Sequence, residues 1–365
     1  MEGWARNGLL NSSSKDISRA ARVRLEVISI DGSYGEGGGQ IIRTSLALSL
    51  VTGRPFRIER IRARREKPGL QRQHLTAVNA AAEIGRAETS GAGVGSQQFT
   101  FTPREVVAGD YTFSVGTAGS APLVLQTVLP PLLIAQAPSR LTLEGGTHNV
   151  HAPPFEFLAE TFLPLVSRMG PRVEALLRRY GFYPPGGGRF EVSIEPAPKL
   201  KRLDIPERGP IESERARALV VNLPPGIAHR ELRVIHEKMG WSYEHLEVET
   251  STNAFSPGNV LTIRIVSRHV TEIITSMGER GVRAETVAER AVAEALDYLQ
   301  TGAPVGEHLA DQLLIPLALA GGGSFLTGPL SLHTMTNIEI IRKFLDVEIN
   351  AEQVRDRVWK VEVEK

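Results

Sequence analysis

The stretch LEVISIDGSYGEGGGQIIRTSLALSLVTG, residues 25–53, decides the fold class of this chain. Its opening run, residues 25–30, alternates in the way that is typical of a β-strand. The run from Ile41 to Val51 is amphipathic and is followed by Thr52-Gly53, which predicts a helix with a glycine stop. A glycine-rich turn, residues 31–40, connects the two. A strand that passes through a tight turn into a helix predicts an α/β fold.

The same order of elements recurs in two further parts of the chain. Residues 110–115 form a predicted strand, which a small-residue turn (GTAGS) joins to a predicted helix at 122–135. Near the end, a predicted helix at 308–320 leads through three glycines to a strand at 324–327 and a second helix at 333–345. We therefore predict an α/β chain (α+β repeats) of three related β-α-β-α-β units, with a period of about 80 residues. The alternative is an ordinary α/β chain with regular alternation.

The region between the second and third units differs because it is richer in charge. It opens with a polar segment at 206–217 that is typical of a linker. We predict a small inserted α/β domain with strands at 218–223, 246–250 and 260–266 and helices at 230–239 and 284–299. The predicted organisation is a polar leader (1–24), a main domain of three repeats (25–205 and 301–365) and an inserted small domain (206–300).

Composition excludes several classes of protein. The chain has 365 residues and carries 42 lysines and arginines against 41 aspartates and glutamates, so its formal net charge is +1. This balance excludes a protein that covers nucleic acid with a uniformly basic surface. It does not exclude a local basic binding site. Cysteine is absent, which excludes disulfides, thiol nucleophiles, iron–sulfur clusters and cysteine zinc sites. Covalent catalysis must then use another nucleophile.

No segment is long enough to cross a membrane as a helix. The most apolar stretch, residues 123–137, is short and contains two prolines and two glutamines, whereas a span needs about 20 predominantly apolar residues. We predict that it is a buried core helix. The first 24 residues lack the apolar core of a signal peptide. We therefore expect a cytoplasmic protein that has no membrane partner.

A local basic segment at residues 54–74 is hidden by the balanced total charge. It contains seven arginines and one lysine against two glutamates, a net charge of +6. Arg62 and Arg65 belong to a cluster around a Pro-Gly turn, and Gln73 and His74 extend the polar run. Guanidinium groups match the oxygens of phosphate. The segment is either a phosphate-binding site or a solvated charged loop.

The glycine-rich turn is a second candidate for phosphate binding. Glycines let backbone N–H groups approach an anion, and a helix N-terminus adds partial positive charge. The turn matches neither nucleotide fingerprint well, so a plain strand-to-helix connection is the alternative. Glu36 within the turn fits that alternative less well, because a carboxylate beside phosphates usually needs a metal ion.

The nine histidines do not form a zinc motif, since neither H-x-x-x-H nor H-E-x-x-H occurs. His333 opens a predicted helix, where histidine is not a favoured cap, so its role is either chemical or structural. The K-x-D-G motif of lysine nucleotidyl transferases is absent, because residues 29–32 read SIDG. Histidine is therefore the remaining candidate if the chain carries a nucleotidyl group covalently.

Five motifs in order resemble the RNA 3′-terminal phosphate cyclases, over about residues 25–345. They are DGSYGEGGGQIIRTSLALS, IRARREKPGLQRQHLTAV, TAGSAPLVLQTVLP, GFYPPGGG, and EHLADQLLIPLALAGGG followed by SLHTMTNIE. The resemblance implies three repeated α/β units with a smaller inserted domain. It also implies ATP-dependent conversion of an RNA 3′-terminal phosphate to a 2′,3′-cyclic phosphate, through a histidine-AMP intermediate and an RNA adenylate.

The resemblance assigns roles to individual positions. His333 matches the family nucleophile, and Glu36 matches a carboxylate associated with a divalent metal (Mg or Mn). The phosphate and RNA-end residues are expected to be Arg43, Arg62, Arg65, Gln73 and His74. The ATP-binding residues are expected to be Gln126, Pro153, Phe157, His308, Leu309, Ala310, Asp311 and Gln312.

One position departs from the family pattern. Family members often have tyrosine before L-A-D-Q, stacked on the adenine, and this chain has His308 there. Imidazole is flat but offers less area than a phenol, so we expect nucleotide binding with altered affinity or purine preference.

Two other functions fit parts of the sequence. One family branch lacks the catalytic histidine and acts in ribosome assembly without catalysis, whereas His333 and the arginine-rich turn favour the active branch. Enolpyruvyl transferases have a similar repeated architecture, but the RQH and LHTMTN segments speak against that small-molecule chemistry.

Overall fold

The computed structural model of the chain describes residues 26–365. The predicted polar leader and Leu25 lie outside the described residues. The strands are β1 (Ile28–Asp31), β2 (Phe56–Glu59), β3 (Glu88–Ser90), β4 (Phe99–Thr102), β5 (Asp110–Ser114), β6 (Ser139–Gly145), β7 (Arg172–Arg179), β8 (Gly188–Glu195), β9 (Leu203–Ile205), β10 (Ile211–Val221), β11 (Leu246–Ser251), β12 (Gly258–Ser267), β13 (Thr271–Met277), β14 (Gly322–Thr327), β15 (Glu348–Arg355) and β16 (Val358–Glu364). The helices are α1 (Gly39–Thr52), α2 (Arg72–Ile84), α3 (Ala121–Leu133), α4 (Leu163–Arg168), α5 (Gly226–Met239), α6 (Ala284–Thr301), α7 (Glu307–Ala320) and α8 (Leu332–Phe344). A π-helix (Phe157–Phe162) runs directly into α4, and a short 3₁₀ helix (Tyr243–His245) precedes β11.

The stretch that predicts the fold class folds as the sequence indicates. Helix α1 spans the predicted run and begins two residues earlier, at Gly39. It ends at Gly53, whose φ of 69° is left-handed and therefore favours glycine at this cap. Most residues of α1 are buried because α3 and α8 both pack against it. The helix is therefore central and not a surface element.

Three of the four sheets share one strand order, which confirms the mixed α/β fold with repeats. The orders are β1-β2-β4-β3, β5-β6-β8-β7 and β9-β14-β16-β15. In each sheet the first two strands are parallel and the other pairs are antiparallel.

Each repeat contains one strand more than the predicted β-α-β-α-β unit. The additional strands are β3, β7 and β15. All residues of β3 are exposed, and β15 is exposed along most of its length, so neither carries an apolar alternation. Edge strands of this kind leave no period-two signal in the sequence.

The inserted region forms the fourth sheet, in the order β11-β10-β12-β13. Helices α5 and α6 pack on this sheet and on each other, around a separate apolar core. The predicted linker at 206–217 is wrong from Ile211 onward, because this part belongs to β10. Its side chains are mainly exposed or half-buried, which explains why its sequence is polar although its backbone is paired.

The third repeat begins before the inserted region and not after it. Strand β9 pairs in parallel with β14, in the register Leu203 to Gly323. The insertion therefore interrupts the third unit between its first strand and its first helix. A strand of three residues is too short to show a pattern, which is why the sequence does not reveal it.

The predicted core helix at 123–137 is confirmed as α3 up to Leu133, and residues 134–137 follow the end of the helix. All residues of α3 except Gln126 are buried. Within residues 26–365, no helix has the length and apolarity that a membrane crossing requires.

A buried polar network joins the second repeat to the inserted region. The Glu156 carboxylate contacts His148 Nε2 at 2.7 Å and accepts a hydrogen bond of 2.8 Å from Arg217 of β10. Arg217 also donates to Glu249 of β11 at 2.9 Å. The imidazole and guanidinium groups lower the pKa of Glu156 to about 2, even though burial alone opposes ionisation.

Candidate active site

The N-terminal halves of α1, α7 and α8 meet at one place, where side-chain hydrogen bonds connect them. Gln40 of α1 donates from Nε2 to Asp311 Oδ2 of α7 at 2.6 Å. Asn337 of α8 donates to the Asp311 carbonyl oxygen at 2.8 Å and accepts from Thr44 of α1 at 2.7 Å. The meeting point therefore combines residues from the first and third repeats.

His333 lies in the first turn of α8. Ser331 caps this helix because its hydroxyl accepts from the Thr334 N–H at 3.1 Å. The Nδ1 atom of His333 is 2.9 Å from Gln40 Oε1. Because the Gln40 amide nitrogen donates to Asp311, its carbonyl oxygen faces the imidazole, so Nδ1 carries the hydrogen. The lone pair of His333 is then on Nε2.

The surroundings favour a neutral imidazole at His333. Partial burial is the main cause that lowers its pKa, and Arg43 acts in the same direction, while Glu36 opposes both. Burial also raises the pKa of Asp311 to about 7, although His308 and Arg43 oppose the rise. A neutral histidine with a free Nε2 lone pair is a competent nucleophile.

The glycine-rich turn packs directly against α8. Gly35 has a φ of 52°, and a side chain there would clash with the Thr336 hydroxyl. That hydroxyl accepts from the Glu36 N–H at 3.0 Å. The Glu36 carboxylate accepts from the Gly38 N–H at 2.6 Å and pairs with Arg65. Glu36 is thus held beside the N-termini of α1 and α8.

Arg43 and His74 converge on the start of α1. A Cβ added to Gly39 would lie 2.5 Å from His74 Nε2 and 2.7 Å from Arg43 Nη1, so only glycine fits there. His74 Nδ1 accepts from the Gln71 N–H at 3.0 Å, which leaves the hydrogen on Nε2. Burial, together with Arg43 and Arg62, lowers the pKa of His74 to about 3, so its ring is a neutral donor.

Arg43 is the charged donor of this pair. Burial lowers the pKa of Arg43 to about 10, which still leaves it protonated at neutral pH. Among the described residues, no carboxylate or carbonyl oxygen accepts a hydrogen bond from its guanidinium. Free cationic and neutral N–H donors beside a helix N-terminus form a suitable site for a phosphate.

The other predicted phosphate residues have partners within the protein. Arg62 donates to the carbonyl oxygens of Lys67 and Gly69, at 2.5 and 3.3 Å, and so shapes the Pro-Gly turn. Arg65 pairs with Glu36, and Gln73 Oε1 accepts from the Ser120 N–H at 3.1 Å. The structure brings all five predicted phosphate residues near Glu36 or the start of α2.

A cleft beside Asp311 contains the two predicted glutamines. Gln126 Nε2 donates to Gln312 Oε1 at 2.5 Å, and Gln312 Nε2 donates to the His308 carbonyl oxygen at 3.1 Å. The cleft is mixed in character, since both polar and apolar side chains line it. Its lining comprises Gln40, Arg43, Thr44, Gln126, Leu129, Pro130, Leu133, Phe162, Asp311, Gln312, Ile315, Pro316 and Asn337.

The remaining predicted nucleotide residues divide into exposed and buried ones. The His308 side chain is 70% exposed and lies 3.8 Å from Glu294. Pro153 is half-buried, whereas Phe157 begins the π-helix and packs in the core. Leu309 and Ala310 are also core residues. Their side chains support the start of α7, so they face the apolar interior and not the cleft.

Four residues of the site were not predicted from the sequence: Gln40, Thr44, Thr336 and Asn337. All four lie inside the quoted DGSYGEGGGQIIRTSLALS and LHTMTN motifs. Polar side chains in otherwise apolar helices are the sequence signal for these residues, because a buried amide or hydroxyl needs a partner.

No cluster of three or more histidine and acidic side chains that could hold a metal ion occurs in the part of the chain described. Glu36 is instead a single carboxylate beside the phosphate donors. A single carboxylate suits Mg²⁺, which usually takes its other ligands from substrate phosphates and water.

Comparisons with known proteins place these features in a family context. The family model described as RNA 3′-terminal phosphate cyclase matches residues 34–351. A protein of that name from Koribacter versatilis is 53% identical over 336 residues, which cover 92% of this chain and 95% of the relative. A protein of the same name from Ectopseudomonas mendocina is 50% identical over 93% of this chain and 98% of its own length. The one from Salmonella agona is 45% identical over 91% and 96%, respectively.

Proposed function

This chain belongs to the RNA 3′-terminal phosphate cyclase family, and we propose that it converts the 3′-terminal phosphate of RNA to a 2′,3′-cyclic phosphate at the expense of ATP, with His333 as the nucleophile. The proposal depends mainly on one observation, the orientation of the His333 imidazole. Its Nδ1–H donates to Gln40 Oε1 at 2.9 Å, and Gln40 is fixed in turn by Asp311 at 2.6 Å. Nε2 is left free for attack.

In the first step, Nε2 of His333 attacks the α-phosphorus of ATP. A P–N bond forms, the P–O bond to the β-phosphate breaks, and diphosphate leaves. The imidazole becomes positively charged, because Nδ1 keeps its hydrogen. Gln40 accepts that hydrogen bond, and the Asp311 carboxylate behind it stabilises the charge.

In the second step, an oxygen of the RNA 3′-phosphate attacks the same phosphorus, so that the P–N bond breaks and histidine is released. The RNA end now carries an anhydride with AMP as a good leaving group. In the third step, the neighbouring 2′-hydroxyl attacks the 3′-phosphorus and AMP departs. Cyclisation gains from proximity because both reacting groups are on one ribose.

Arg43 and His74 have donors that are free to hold phosphate oxygens during these steps. The guanidinium supplies charge, and the neutral imidazole of His74 supplies an N–H from Nε2. Arg62, Arg65 and Gln73 shape or extend this donor surface. We assign the mixed cleft to ATP, with Asp311, Gln126 and Gln312 as polar contacts and His308 at the adenine.

We assign Glu36 as the residue that would hold a divalent ion, Mg²⁺ or Mn²⁺, together with ATP. Such an ion would neutralise phosphate charge and make the α-phosphorus more electrophilic. The Gly38 N–H holds the carboxylate of Glu36 in place beside the α1 N-terminus.

A direct assay tests this function. The full chain is incubated with ATP, Mg²⁺ and an RNA oligonucleotide that carries a 3′-phosphate, and the end is then treated with phosphatase. We expect an ATP-dependent, phosphatase-resistant terminus that His333→Ala fails to produce. RNA that remains fully phosphatase-sensitive would support the non-catalytic alternative instead.

A further inference from the structure

The GFYPPGGG motif, residues 181–188, is not used by the proposed chemistry. It forms the turn that joins β7 to β8. Tyr183 on this turn is 80% exposed, and Phe255 on the neighbouring loop of the inserted region is 67% exposed. The two segments are connected, because the Tyr180 N–H donates to the Asn253 carbonyl oxygen at 3.1 Å. The turn that carries Tyr183 therefore lies beside the loop that carries Phe255, and we call these two exposed rings together the aromatic platform.

The ring of Phe255 is held in a fixed position despite its exposure. A side chain at Gly187, which has a φ of 66°, would clash with the edge of the ring. The Arg179 guanidinium lies over the ring, 4.2 Å from its centre, and donates to the Gly187 carbonyl oxygen at 2.5 Å. No carboxylate of the described chain pairs with Arg179. An exposed, ordered ring beside a guanidinium that has no carboxylate partner is suited to binding a flat, anionic ligand.

The aromatic platform is close to the phosphate donors. A side chain at Gly186 would clash with the Thr117 carbonyl oxygen, so the turn packs against the GTAGS segment, residues 116–120. The same segment contacts α2, since the Ser120 N–H donates to Gln73 Oε1 at 3.1 Å. Gln73 directly precedes His74. One short segment of chain therefore separates the platform from the site proposed for the RNA terminal phosphate.

We propose that Phe255 and Tyr183 stack on bases of the single-stranded RNA that precedes the 3′-terminal phosphate. This inference rests on the proposed function. Single-stranded RNA is recognised by stacking of splayed bases on aromatic rings and guanidinium planes. Every base has a flat face, so such contacts add affinity without strict sequence preference. The positive charge of Arg179 matches the RNA backbone and does not match a neutral apolar partner.

Binding of a labelled RNA, measured by fluorescence anisotropy without ATP, tests the platform apart from catalysis. We expect Phe255→Ala to weaken binding of a 3′-phosphorylated decamer by about 5- to 150-fold, the effect of losing one stacked base. Phe255→Trp should retain binding, because indole also stacks. Tyr183→Ala should weaken binding in the same sense.

Tyr243→Ala is the matched control. Tyr243 is 65% exposed and precedes β11, whereas Phe255 follows it, so the two aromatics lie toward opposite ends of that strand. The control should bind the decamer like the wild type.

A mononucleoside 3′-phosphate, which has no upstream base, should be cyclised equally by wild type and Phe255→Ala. Unchanged decamer binding in Phe255→Ala, or an equal loss in the control, would overturn the proposal. Weakened binding in Phe255→Ala, together with a wild type that binds the decamer but does not cyclise it, would refute the proposed function and leave the platform intact. Normal binding in Phe255→Ala, together with a wild type that cyclises the decamer, would refute the platform alone.

Discussion

Replacing Gln40 by alanine tests the hydrogen-bond relay, in which Gln40 links the Asp311 carboxylate to the His333 imidazole. The substitution removes the acceptor that holds the Nδ1–H at 2.9 Å and leaves the Asp311 carboxylate without its 2.6 Å donor. In the adenylylated state the imidazole is charged, and a hydrogen bond to a charged group contributes about 1.5–3 kcal/mol. At about 1.4 kcal/mol per factor of ten, formation of the histidine-AMP adduct should slow about 10- to 150-fold.

A spectroscopic readout distinguishes this positioning role from general damage. In ¹⁵N-labelled wild type, the His333 signals, assigned by difference from His333→Ala, should show hydrogen on Nδ1 and none on Nε2. In Gln40→Ala the preference for that tautomer should be lost. Gln353→Ala, on the exposed face of β15, serves as the matched control and should change neither measurement.

Two results would refute the relay. One is a wild-type spectrum in which Nε2 of His333 carries the hydrogen. The other is an adduct rate in Gln40→Ala equal to that of the control. A reduced rate with an unchanged tautomer would locate the role of Gln40 in the ATP cleft, which it also lines.

Three further predictions follow from named side chains. Because the pKa of Asp311 is raised to about 7, the adduct rate should fall as pH drops through 7, and a profile that is flat from pH 6 to 8 would contradict this. Glu231 is buried, with one oxygen bonded to Asn259 at 3.0 Å and the other without a partner among the described residues, and burial raises its pKa to about 7. The stability it contributes is complete below about pH 4.5 and is lost as pH rises through 7, so Glu231→Gln should stabilise the protein at pH 8 by about 3 kcal/mol in urea unfolding, and should have little effect at pH 4.5. His308→Tyr should tighten ATP binding or change the preference between ATP and GTP in competition assays; if neither changes, His308 does not stack on the base.

The elements predicted from the sequence are those with a strong local apolar pattern. Helices α1 and α3 are buried along most of their length and α7 along half of it, so their runs of leucine and isoleucine identify them without tertiary information. Strands β3 and β9 have three residues each and were missed. Three residues are too few to show an alternating pattern, and the partner of β9 is β14, which lies far along the chain and outside any local window.

The same limit applies to the site. His333 and Asp311 could be carried over from motif resemblance, but Gln40 could not be recognised as their link. It lies 271 residues from Asp311 and 293 from His333, so only the fold brings the three together. Leu309 and Ala310 show that a residue within a functional motif does not have to lie in the site, because both pack in the core.

Covalent labelling by ATP tests the central claim most directly. The full chain is incubated with α-³²P-labelled ATP and Mg²⁺, quenched without acid, digested and mapped. We predict an acid-labile label on the peptide that contains His333, absent in His333→Ala and retained in His229→Ala, which removes an exposed histidine of α5. The absence of label on wild type, or an undiminished label in His333→Ala, would contradict the account.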